Sequence, residues 1–168
     1  MKLYNRTKVP DKVLQEVLQH AARLVGARSK SVVVMVRSSR WCHGMAWRGM
    51  PYEWFLRGER WHKEHGRGEL IDTDCGWFEI WLPKDFYSDP LVLAESFFKV
   101  AAHEWRHIRD YQKGGVFTRK RRWASRPQEK RAIRSASRAM ADMSKRRGAA
   151  DAIIDLGIEI EKLRKGKV

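Results

Sequence analysis

The stretch Asp89-Pro90-Leu91-Val92-Leu93-Ala94-Glu95-Ser96-Phe97-Phe98-Lys99-Val100-Ala101-Ala102-His103-Glu104-Trp105-Arg106-His107 decides how the rest of the chain is read. It opens on an aspartate that can cap a helix and a proline suited to the first helical position, then runs apolar at helical spacing. The pattern predicts one largely buried helix from about Pro90 to Lys113, ended by Gly114-Gly115. Deep inside it, His103 and His107 stand four apart, so their imidazoles share one helix face and can reach a single ion. Glu104, next to the first histidine, is placed to act on a water at that ion.

Working outward, a helix is expected from about Asp11 to Gly26, with Val13, Leu14, Val17, Leu18, Ala21, Leu24 and Val25 as its apolar stripe. Ser31 to Arg37 is β-branched and almost continuously apolar, which predicts a central strand covered on both faces. Between Ser38 and Thr73 only a short strand near Met45-Ala46-Trp47 is legible. Gly76 to Pro83 alternates, with Phe78, Ile80 and Leu82 on one side and Trp77, Glu79 and Trp81 on the other, and its Gly and Pro boundaries suggest an edge strand. A helix follows from about Pro127 to Arg147, with Ala132, Ala136, Ala139 and Met143 as a small-residue face. Gly148 breaks the pattern, and Ala149 to Leu163 forms a last helix with a stripe of Ile153, Leu156, Ile160 and Leu163. The order predicts a single α+β domain over residues 1–168, a short twisted sheet packed on the motif helix, with a basic helical C-terminal part from about residue 114 to 168.

A chain of 168 residues can bury a core without disulfide staples, and eight tryptophans supply bulk for it. There is no apolar run long enough to cross a membrane and no secretion-signal order at the N-terminus. The expectation is a cytoplasmic protein that keeps Cys42 and Cys75 as thiols. The net charge is +15, and between Lys113 and Arg147 there are 13 basic residues against two acidic ones, Glu129 and Asp142. Such a segment is expected to attract nucleic acid or an acidic protein surface, unless it is only a solvated face.

A catalytic zinc takes three protein ligands and keeps a position for water. Beyond His103 and His107, the leading third candidate is Glu129, in the first turn of the next helix and one of two acids in a basic stretch. Asp110 follows His107 on the same helix face, but one helix cannot easily wrap an ion, so it is better suited to a salt bridge or to supporting a ligand. His62 and His65 are further donors, and a separate site from Cys42, His43, His62, His65 and Cys75 has a spacing that matches no zinc pattern.

With these residues in view, the chain resembles the zincin metallopeptidases, in particular the small gluzincins, which carry HExxH on one helix and a glutamate ligand on the next. The resemblance covers roughly Gly76 to Met143 and rests on His103, Glu104, His107 and Glu129. It implies a small zincin-like domain that binds Zn2+ through His103, His107 and Glu129 and hydrolyses peptide or protein substrates with Glu104 as general base. It also implies that an extended peptide lies along the Gly76–Pro83 strand. Larger gluzincins have an acid four residues after the ligand glutamate, where this chain has Ile133, and the metzincin continuation with a glycine and third histidine is absent. Tyr111, Tyr87 and nearby arginines are all candidates to stabilise an oxyanion. The competing reading is a nucleic-acid-binding or structural module, using Arg119-Lys120-Arg121-Arg122-Trp123 and the helix after it, in which the metal site is not catalytic.

Overall fold

The capping aspartate acts as expected: Asp89 Oδ1 accepts from the backbone N–H groups of Leu91 at 2.8 Å and Val92 at 3.2 Å, and Pro90 begins the helix. The computed structural model describes residues 1–30, 32–39, 43–47, 77–83, 89–113, 127–143 and 145–166. In chain order the elements are β1 (Lys2–Arg6), α1 (Asp11–Val25), β2 (Val33–Ser39), β3 (His43–Trp47), β4 (Trp77–Pro83), α2 (Pro90–Gln112), α3 (Pro127–Met143) and α4 (Arg147–Lys165). The protein is α+β, and its described residues form a four-stranded sheet in the order β1-β2-β4-β3 with helices packed on it.

β1, β2 and β4 run parallel, and β3 pairs antiparallel with β4. This corrects the expectation for Gly76–Pro83: β4 lies inside the sheet, and the edge beside α2 is β3. Alternation along a strand reports its two faces but not its two neighbours, so position in the sheet is not written there. The faces themselves come out as read. Phe78, Ile80 and Leu82 are buried with the helices, and the Phe78 ring meets the indole of Trp105 on α2 edge-on at 4.9 Å. Glu79 turns the other way and is also fully buried, with Arg37 Nε 2.6 Å from its Oε1. β2 is central, and Val33 to Val36 are buried on both of its faces.

α1 presents Leu14, Val17, Leu18, Ala21 and Val25 to the core and ends where Gly26 adopts φ 69°. Its exit is fastened to the end of α2. Arg109 Nη1 donates to the Val25 carbonyl at 2.8 Å, and Gln112 exchanges hydrogen bonds with the Arg28 backbone at 2.6 and 3.0 Å. α2 is the central helix, touching α1, α3, α4, β3 and β4. α4 packs on its start, where Gly157 lies against the Leu91 backbone. Gly148 does not interrupt α4 but sits in its first turn, where a Cβ would stand 3.1 Å from the His20 ring. No helix among the described residues is long and apolar enough to cross a membrane.

Candidate metal centre

Half-way along α2 the helical repeat brings His103 and His107 onto one side, with ring centroids 4.7 Å apart and Nε2 atoms 3.0 Å apart. The third member comes from α3. Ala132, Ala136 and Ala139 are buried small residues, so α3 can approach α2 closely. Asp110 then fixes its placement. Its carboxylate accepts from Arg131 Nε on α3 at 3.3 Å and is ion-paired with Arg106, whose Nε lies 3.1 Å away on its own helix, while Arg106 Nη1 reaches Ser135 Oγ at 3.4 Å. Two residues before Arg131, in the first turn, Glu129 is thereby held against the histidines.

Glu129 Oε2 lies 3.3 Å from His103 Nε2 and 3.4 Å from His107 Nε2. A tetrahedral zinc with bonds of about 2.0–2.1 Å has ligand atoms separated by about 3.3–3.4 Å, so these distances fit two imidazoles and one carboxylate around one ion. Among the described residues the buried Oε2 finds no well-aligned hydrogen bond although it is close to both rings, as expected of atoms aimed at a common point. Among the described residues this is the only trio of His, Cys, Asp or Glu disposed to hold a metal. His103 keeps 16% of its side chain exposed against 4% for His107 and 3% for Glu129, so the centre opens toward solvent on the His103 side.

Electrostatics separate the two glutamates. Burial alone would raise the Glu129 carboxyl, but the adjacent imidazoles outweigh it and bring the group down to about 2, ionised as a ligand must be. Glu104 is held well above the usual carboxylate range, by burial first and by the Glu129 charge second. A carboxylate raised in this way is a stronger base than one in water. It also touches the edge strand: a Cβ built on Gly44 of β3 would stand 2.8 Å from both Glu104 Cγ and Oε1, and 2.6 Å from Val100 Cγ1. Gly44 is a member of the site that sequence reasoning missed. The only signal was its place in Cys42-His43-Gly44-Met45, just before the short strand.

That close approach makes a prediction. Gly44→Ala forces β3 away from α2 or displaces Glu104, an overpacking that costs about 1–3 kcal/mol. A urea titration of parent and variant reads it, and an unchanged midpoint would mean that β3 does not press on Glu104.

Asp110 braces the two helices and is not a member of the trio. Tyr111 is part of the buried core. Ile133 is exposed on α3. Cys42, His62, His65, Cys75, Tyr87, Gly114-Gly115 and Arg119 to Trp123 lie outside the described residues, as does the side chain of His43. Comparison of the chain with models of known families, with curated proteins and with solved structures returned no match.

Proposed function

We propose that this protein is a zinc-dependent metallopeptidase of the zincin type, gluzincin-like in its ligand set, that hydrolyses peptide bonds. The observation that carries the reading is the arrival of Glu129 from a second helix at tetrahedral-edge distance from both histidines, with Glu104 one residue from a ligand and against the edge strand. His103, His107 and Glu129 would hold the ion. Zinc in such a site supplies Lewis acidity, making a water acidic near neutral pH and polarising a carbonyl.

The chain's own residues then divide the work. β3 is an edge strand among those described, so its outer backbone groups offer an extended peptide a partner for strand pairing. Glu104 takes the proton from the attacking water as its oxygen bonds to the peptide carbon, and delivers a proton to the amine nitrogen as the C–N bond breaks. Burial, and after it the charge of Glu129, raises the proton affinity of its carboxylate, which suits the first task.

A peptide-library digest tests the proposal. The zinc-loaded protein is expected to cleave, to stop when a chelator removes the metal and to resume when zinc is restored. Zinc binding at one ion per chain with no cleavage of any library member would leave a metal site and remove the peptidase.

A further inference from the structure

The outward side of α3 carries Lys130, Arg134 and Arg138, all exposed, at consecutive four-residue steps. Each step advances about 6 Å along a helix axis, so the three cations form one line about 12 Å long. That repeat is comparable with the separation of neighbouring phosphates along one nucleic-acid strand. None of the three has a carboxylate partner among the described residues. Glu129 and Asp142, the acids of α3, are both committed elsewhere: Glu129 is buried at the metal centre, and Asp142 faces Lys145.

α4 shows what a merely solvated helix face looks like in the same protein. Its exposed surface mixes Asp151 and Asp155 with Lys162 and Lys165, and its basic residues pair at three- and four-residue spacing, Lys162 with Glu159 and Lys165 with Glu161. α3 differs: from Lys130 to Arg138 it exposes cations and no acid, with no internal pairing among the described residues and with the exposed Ile133 and Ser137 between the cations, and Asp142 one step further on faces Lys145. The chain entering it, Gly114 to Arg126, adds five basic residues and no acid in sequence.

We infer that the Lys130–Arg134–Arg138 row of α3 is a docking line for the phosphate backbone of a single-stranded nucleic acid. Contacts of this kind position a strand without reading its bases, so binding is sequence-tolerant and salt-sensitive. An acidic protein is the less favoured partner, because carboxylates on a folded surface have no fixed spacing along a line. The row points away from the side of α3 that carries Glu129 and the small-residue face, so a strand held there leaves the metal centre open. The inference does not depend on hydrolysis.

The test is a titration of labelled single-stranded DNA of mixed sequence, followed by fluorescence anisotropy from about 50 mM salt upward. Combined Lys130→Gln, Arg134→Gln and Arg138→Gln should weaken binding at least tenfold at the lowest salt and flatten the log K against log salt slope by about 2, since each lost single-strand contact removes about 0.7. Zinc content and the thermal transition should stay at parent values, which shows that the variant is folded. A second variant with Lys162, Arg164 and Lys165 changed to Gln removes the same charge from α4 and should keep nearly the parent slope. Four results overturn the inference: a parent that does not bind, an α3 variant that binds like the parent, an α4 variant that loses as much as the α3 variant, or displacement of the DNA by polyglutamate at equal charge concentration. The last would identify an acidic protein as the partner instead.

Discussion

Glu104→Gln is expected to keep the metal and the fold and to lose a factor of about a hundred to ten thousand in peptide hydrolysis, the usual cost of removing a general base. The amide preserves the shape that fits against Gly44, so β3 need not move. What it lacks is the ability to accept the water proton. The same substitution removes a carboxylate that is buried beside the charge of Glu129, so the metal-free variant should melt at or above the parent. Rate therefore falls while stability does not, which a damaged fold cannot mimic. Turnover equal to the parent would place the base elsewhere.

The second large effect concerns the ligand that comes from α3. Glu129→Ala should lower zinc affinity by more than about 100-fold, beyond the loss of about 10–100-fold that follows when a residue supporting a ligand is removed. Competition with a chromophoric chelator measures it. Asp110→Asn supplies the comparison. It leaves all three ligand atoms in place but weakens the bridge to Arg106 and Arg131 that aligns α3, so its loss should fall within the smaller range. If Glu129→Ala binds zinc as tightly as the parent, the third ligand lies outside the described residues, with His62 and His65 the first to test.

The centre was largely legible because its parts are local. His103, Glu104 and His107 are fixed by one helical repeat, and α2 announces itself through Asp89, Pro90 and an apolar run. Glu129 was legible for a different reason, as an acid without an obvious purpose in a basic segment. What stayed hidden is what depends on pairing between distant segments. Lys2–Arg6 was not read as a strand, since five residues with only Tyr4 buried have no periodicity to show, and β1 exists through its register with β2. Glu79 read only as lying opposite Phe78, Ile80 and Leu82, and nothing local told that it would be fully buried with Arg37 beside it. Gly148 read as a helix breaker, whereas its missing side chain makes room for His20. The contact of Gly44 with Glu104 spans 60 positions of the chain, and nothing local encodes it.

The reversed direction of β3 sets a polarity for anything that pairs with it. β3 runs against β4, so a peptide added antiparallel along its outer edge travels in the direction of β4, entering near Trp47 and leaving near His43. Successive side chains of such a peptide point to opposite faces, every second one toward α2 and the rest away from it. A slip of one residue exchanges the two sets. For the proposed peptidase, preferences around the cut would thus fall on alternating positions, and the order of residues on either side of the scissile bond would not be interchangeable.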